Sequence, residues 1–416
     1  MRALADFFLR HLIVLGRLTV RWPDGGVTTY AGTPGPEALV HFRDRRAVRR
    51  VFMDPNVAVA DCYMDGTLVP VDCTIYDVLD VLMTNAEARP DGLPMMQIRT
   101  ALRHLWRRLA QFNPAGRSRR NVAHHYDLNG RLYSLFLDRD RQYSCAYFQT
   151  GDETLDEAQV AKKRHIAAKL KLDRPDLEVL DIGCGWGGMA LTLARDFGAR
   201  VTGVTLSTEQ LAEAQARGAA AGLSDRVTFE LMDYRKLHRR FDRIVSVGMF
   251  EHVGLNHYKA FFDVVKRCLA PDGVALIHFI GRSDGPGATN PWLAKYIFPG
   301  GYSPALSEVL PAVEKSRLFL TDVEILRLHY AETIRHWRRR FGANRDTIAA
   351  MYDERFCRMF EVYLSGCELS FRRQGMTVFQ LQLTRGLQAL PLTRDYMVEA
   401  ERAVADTPAR ETISPP

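Results

Sequence analysis

The pattern of apolar and polar positions is clearest from residue 178 onward, where two periods alternate. Short apolar runs fall at 178–182, 200–206, 227–232, 243–247 and 274–280. Between them, 189–197, 208–221 and 257–269 carry apolar residues at helical spacing. Strand and helix in alternation predict an α/β domain, a mostly parallel sheet with helices on both faces. Ligands of such sheets lie at the carboxyl ends of the strands, near the switch point.

The first 90 residues read differently. Positions 18–22 alternate apolar and polar, Pro23-Asp-Gly-Gly26 supplies a turn, and 27–30 resumes, which predicts a β-hairpin. Apolar runs at 38–42 and 47–52 and an amphipathic helix at 74–83 follow, giving a small N-terminal α+β domain. Residues 99–120 hold seven arginines and no acid, with Leu102, Leu105, Trp106 and Leu109 at helical spacing. Such a helix suits a lipid headgroup layer, and equally a solvated linker packed on its neighbour. Asn113-Pro-Ala-Gly-Arg-Ser118 breaks the pattern, so the expected division is 1–112, 113–400 and a disordered, Pro-ended tail at 401–416.

Composition changes this picture little. The 416 residues are 47% hydrophobic and 25% charged, ordinary globular usage too long for one core. The net charge of +7 favours an anionic partner or simply solubility. Seven scattered cysteines without a Cys-x-x-Cys pair argue against a disulfide framework or zinc site and for a reducing compartment. Arg10 and His11 interrupt the apolar stretch 7–15, and no run approaches the roughly 18–20 residues of a membrane span. The expected location is cytoplasmic, with any membrane contact peripheral.

Candidate chemistry centres on 179–190, VLDIGCGWGGMA. A strand ending in Asp181 meets Gly183, Gly185, Gly187 and Gly188 and then a helix, whose first amides are unpaired donors. The Asp-x-Gly-x-Gly-x-Gly spacing differs from the nicotinamide Gly-x-Gly-x-x-Gly. It resembles the first motif of the Rossmann-like S-adenosylmethionine methyltransferases. Where generic members carry a ribose-binding acid, this chain has Gly203-Val-Thr-Leu-Ser-Thr-Glu-Gln210, with Thr205 and Gln210 as neutral hydrogen-bonding groups.

That block resembles the cyclopropane fatty acid synthases, and others agree in order: Tyr143-Ser-Cys-Ala-Tyr147, Met249-Phe-Glu-His-Val-Gly254, His278-Phe-Ile-Gly281, Ile297-Phe-Pro-Gly-Gly301 and His329-Tyr-Ala-Glu-Thr-Ile334. The resemblance covers about 120–390 and implies a Rossmann-like class I sheet of seven strands, with antiparallel edge strands at 318–328 and 376–385 and a long helix at 345–374 between them. It implies S-adenosylmethionine held by Tyr143, Ser144, Asp181, Gly183, Gly185, Gly187, Thr205, Gln210, Asp233, Tyr234 and Phe250. It also implies a bicarbonate base held by Cys145, Glu251, His278 and Tyr330, with a main-chain contact from Ile280. A cis alkene taking the sulfonium methyl becomes a cation, and a base must remove a proton for the ring to close, so the pocket must exclude water. Faces of Tyr143, Tyr147 and Phe250 suit a developing positive charge.

Singly, each residue has an ordinary explanation. Cys145 reads as a small buried hydrophobe, His278 as a core histidine, Glu251 as a cap for a helix near Asn256, and Tyr330 as core with a wet hydroxyl. Trp292, Tyr296, Ile297 and Phe298 suit a lid or acyl tunnel, or ordinary helix packing. Four arginines in 335–340, with Arg345, suit phosphates or a solvated face. Because synthases of carrier-bound chains lack the N-terminal domain, the resemblance points to unsaturated phospholipid acyl chains at an anionic membrane surface. A homodimer is compatible, and nothing organised for nucleic acid is visible. Open alternatives are a lipid C-methyltransferase, since His278-Phe-Ile departs from the His-Thr-Ile associated with ring formers, and a non-catalytic lipid-binding protein.

Overall fold

A computed structural model of the chain describes residues 2–88 and 130–405. The basic stretch 99–120, the boundary expected at 112/113 and the tail from Asp406 lie outside the described residues. The chain forms two compact units that are not sequential. The first joins Met1–Arg107 to Ala288–Pro299 and Ala331–Met376, and the second joins Arg108–Gly287 to Gly300–Tyr330 and Thr377–Pro416. The expected cut into consecutive domains is corrected accordingly, because helices late in the chain complete the core of the first unit.

That unit holds a four-stranded sheet of β1 (Leu15–Arg21), β2 (Val27–Ala31), β3 (Thr33–Phe42) and β4 (Leu68–Pro70), in the order β2-β1-β3-β4. The expected hairpin forms, with Leu18 opposite Tyr30. The run 47–52 is helix Arg45–Met53, started by Asp44, whose side chain accepts from Ala47 N at 2.6 Å. The helix expected at 74–83 runs Ile75–Glu87 behind a Thr74/Asp77 capping box. It packs on helix Glu354–Arg373. The single helix expected at 345–374 is two, Arg345–Met351 and Glu354–Arg373, because Asp353 leaves helical geometry and caps the second by accepting from Phe356 N at 2.6 Å. Arg338 donates to the buried Glu368 at 2.9 Å and covers the Tyr76 ring, so one of the four clustered arginines serves packing. Trp292 is buried beside Tyr296, and Phe298 meets Tyr363 edge-on.

The second unit is the α/β domain. Strands β5 (Glu178–Ile182), β6 (Arg200–Thr205), β7 (Val227–Leu231), β8 (Phe241–Val247), β9 (Leu269–Arg282), β10 (Phe319–Ile325) and β11 (Met376–Thr384) lie in the order β10-β11-β9-β8-β5-β6-β7. Pairings among β5 to β9 are parallel, and β10 runs antiparallel to β11 as expected. The chain winds outward from β5 in both directions, so the crevice opens where β5 and β8 end side by side.

Alternation assigns the two faces. Leu180, Ile182, Ile244, Ile277, Phe279 and Phe379 join one buried cluster, while Val179, Val245 and Leu276 join the other with Ile166 of helix Leu155–Lys169. By the period of two, Asp181, His278, Gln380 and Gln382 point to the face covered by that helix. A half-polar helix surface is thereby buried against polar strand positions, and this sandwich carries the site.

Candidate active site

Beyond β5 the backbone turns through Gly183, Gly185 and Gly187 at φ of 82°, 54° and 82°, a region closed to most side chains. A Cβ at Gly187 would stand 2.6 Å from the Phe229 ring, and one at Gly183 2.9 Å from the Met249 side chain. The turn delivers the chain to helix Gly188–Phe197 with its first amides facing a pocket.

Tyr143, Ser144, Asp181, Gly183, Gly185, Thr205, Gln210 and Tyr234 line that pocket. Gly187 caps the helix behind it. Phe250 and Asp233 stand apart from this lining. Phe250 is fully buried in the core, stacked on Tyr258 at 4.5 Å and packed against Phe279, because its position follows the apolar face of the sheet. Asp233 pairs with Arg235 at 2.6 Å and caps the turn Tyr234–Lys236, and the pocket wall at that point is Arg235. Tyr147 is sandwiched between His165 and His329, with ring centroids at 4.0 and 5.0 Å.

The electrostatics follow from burial. Asp181 is pushed up to about 7 by desolvation, against the pull of Lys162, and its Oδ2 has no hydrogen-bond partner among the described residues. The Thr205 hydroxyl donates to Gln210 Oε1 at 3.1 Å and accepts from Ser207 N, which leaves the Gln210 amide nitrogen as the donor available to a ligand.

Helix Leu155–Lys169 holds the segment bearing Tyr143 and Ser144. Gln159 Nε2 donates to Ser144 O at 2.9 Å, and Lys162 Nζ donates to Gln142 Oε1 at 2.7 Å and Ser144 Oγ at 2.9 Å. Burial lowers the Lys162 ammonium to about 8, with Asp138 opposing. Its charge is felt at Cys145, Asp181 and His278. Sequence reasoning missed Lys162. The available signal was its place three residues after Gln159 and seven after Leu155, on the buried helix face.

A second cluster lies just past the end of β8, beside residues 278–280 of β9. His278 sits opposite Val247, and its carbonyl accepts from Gly248 N at 2.9 Å. The chain then turns through Phe250–His252, where Glu251 Oε1 accepts from Ile280 N at 2.7 Å. Glu251 therefore does not cap a helix, and the Ile280 amide is committed to fixing this carboxylate. Glu251 Oε2 is buried with no hydrogen-bond partner among the described residues, and desolvation pushes the carboxyl up to about 7. His278 is fully buried and held well below its usual range, first by desolvation and then by the charges of Lys162 and Lys169. Cys145 is buried, its thiol toward Ala146 O. Tyr330 is buried beside His329, which accepts from Phe148 N at 3.0 Å and so tethers Tyr330 to the Cys145 segment. An orphan carboxylate oxygen, a neutral imidazole and a dry environment suit a small, protonated anion.

A family model described as mycolic acid cyclopropane synthetase matches residues 114–381. The chain is 40% identical over 344 residues to the cyclopropane-fatty-acyl-phospholipid synthase of Escherichia coli K12, covering 82% of this chain and 86% of the relative. It is 34% identical over 399 residues to the tuberculostearic acid methyltransferase UfaA1 of Mycobacterium tuberculosis, covering 92% and 91%. Among solved structures, mycolic acid cyclopropane synthase CmaA1 complexed with SAH and CTAB aligns with a TM-score of 0.61 at 33% identity, covering 66% of this chain and 99% of that one.

Proposed function

The chain belongs to the mycolic acid cyclopropane synthetase family of S-adenosylmethionine-dependent methyltransferases, and from that premise we propose that it converts the cis double bond of a phospholipid acyl chain into a cyclopropane ring with bicarbonate as the base. The observation that carries the reading is Glu251, a buried carboxylate fixed through one oxygen by Ile280 N and with the other unpartnered among the described residues. A phospholipid substrate is favoured because the match to the Escherichia coli relative spans 344 residues and so extends beyond the matched family region.

The residues fit both small molecules. S-adenosylmethionine supplies the methyl group when bound. The glycine turn and the amides at the start of helix Gly188–Phe197 accommodate a ligand backbone-close, Gln210 Nε2 donates, and Asp181 Oδ2 accepts. Bicarbonate supplies the base when bound. Glu251 Oε2 would accept its O–H and so raise its basicity, while His278 and Tyr330 would serve as donors to it and the buried setting would keep water out. The arginine-rich stretch 99–120 draws the protein to anionic lipid on the inner face of the membrane, and a homodimer is compatible with this. Among the described residues no helix is long and apolar enough to cross a membrane.

The match over 92% of the chain to a methyltransferase of tuberculostearic acid keeps C-methylation as the second reading. Expression in a host lacking the activity, followed by mass spectrometry of membrane fatty acids, separates the two. A gain of one methylene mass with loss of the double bond is expected. The same gain with the double bond retained means C-methylation, and no gain overturns the enzyme reading.

A further inference from the structure

Behind His278, away from the pocket, runs a buried polar chain. Gln380 Nε2 lies 3.1 Å from His278 Nδ1, and Gln380 Oε1 accepts from Lys169 Nζ at 2.8 Å. Lys169 also pairs with Glu324, whose Oε2 lies 2.6 Å from His165 Nε2. His165 Nδ1 pairs with Glu401. Gln382, two residues along β11, donates through Nε2 to Lys169 O at 2.6 Å. Gln380 is 0% exposed and Lys169 and His278 are each 2% exposed, so water does not replace these partners.

We propose that Lys169 and Gln380 are positioning residues that fix His278 with its proton on Nε2 and its Nδ1 lone pair turned to Gln380. The argument is one of donors and acceptors. An ammonium only donates, so the atom of Gln380 facing Lys169 is the carbonyl oxygen. The other end of the amide is then the NH2 group, which only donates, so His278 Nδ1 accepts. A neutral imidazole has a single N–H, and it is left on Nε2. Burial lowers the Lys169 ammonium and the paired Glu324 opposes that fall, so with the ammonium in place the amide cannot turn over without facing a donor with a donor.

The charged and titratable groups acting on His278 are Lys162, Lys169 and His165 of helix Leu155–Lys169 and Glu324 of β10. Among the described residues Gln380 lies against the ring nitrogen and Lys169 acts through Gln380, so the relay sets the tautomer while the others set the field. Its consequence rests on the proposed function: an Nε2–H donates to the bound anion, whereas the other tautomer would offer that anion a lone pair. The tautomer itself is a property of the protein alone.

The test is long-range proton–nitrogen NMR on the nitrogen-15-histidine-labelled full chain without ligand, with the His278 signals identified by their loss in His278→Asn. The expected result is an unprotonated Nδ1 and a protonated Nε2. In Gln380→Glu, a near-isosteric side chain that only accepts, Nδ1 must carry a proton. S-adenosylmethionine affinity should stay within about twofold in this variant while turnover falls about a hundredfold, the scale of losing one preorganised donor. A protonated Nδ1 with bare Nε2 in the wild type overturns the proposal without any variant having to fold. An unchanged Nδ1 in folded Gln380→Glu overturns it as well. Absence of lipid modification by the wild type would sink the functional reading and leave the tautomer result standing.

Discussion

Asp181 and Glu251 are buried carboxyls, one near the end of β5 and the other just after the neighbouring β8, and burial pushes both up to about 7. They are nevertheless built on opposite principles. Asp181 is the penultimate residue of β5 and lines a pocket with the glycine turn and the helix start beside it. Glu251 sits on a turn after β8, pinned by the amide of Ile280 from another strand, near a histidine oriented from a third. On the proposed reading, one region would receive a ligand through main-chain shape, and the other would hold a small group through side chains that long-range contacts fix.

The largest expected effect falls on the second region alone. Glu251→Gln keeps the shape and the Ile280 contact but cannot act as a full carboxylate acceptor. Product formation should drop about a thousandfold, within the range of general-base effects, while calorimetric S-adenosylmethionine binding persists. Wild-type turnover in this variant would remove Glu251 from the mechanism.

Next is Gly187→Ala in the first region, which combines a φ of 82° with a methyl 2.6 Å from Phe229. A loss of about 2–3 kcal/mol in urea unfolding is expected, together with weakened cofactor binding. Unchanged stability would mean the turn relaxes freely.

A smaller effect is read as pH dependence. Asp181 holds a proton below about 7 in the free protein, and a cofactor ammonium needs the carboxylate, so binding must expel that proton. Affinity should therefore fall with decreasing pH below about 7, by up to about tenfold per unit, and flatten in Asp181→Asn. An equally steep wild-type and variant profile would assign the effect elsewhere.

The remaining prediction concerns the arginine-rich stretch. Replacing Arg103, Arg107 and Arg108 by Gln should weaken liposome binding by about 1 kcal/mol per residue, more at low salt than at high. Binding unchanged at either salt would remove the membrane role.

The same contrast explains what could be read from the chain. Strands β5, β6 and β7 and the helices between them agree with expectation to within a residue or two, because a buried parallel sheet imposes continuous apolar runs. The glycine turn was visible for a related reason, since backbone geometry leaves its mark as residue type. Glu251, His278 and Cys145 carried no such mark, and only the resemblance singled them out. The core packing of Phe250 was not legible, because an aromatic next to a candidate site residue reads the same whether it faces ligand or core. Lys162, Lys169 and Gln380 were invisible because a polar residue on a buried face looks like a solvated one until its partners, up to 213 positions away, are in place. The first unit's core was hidden likewise, as its Glu354–Arg373 helix arrives long after the helix Ile75–Glu87 it packs on.

The most direct test of this division of labour is turnover of the purified protein on unsaturated phospholipid vesicles in bicarbonate-depleted buffer, with S-adenosylmethionine binding measured in parallel. Product formation should fall steeply and return on adding bicarbonate, while cofactor affinity stays unchanged. Full turnover without bicarbonate would contradict the account, leaving Glu251 and His278 to act on the substrate directly.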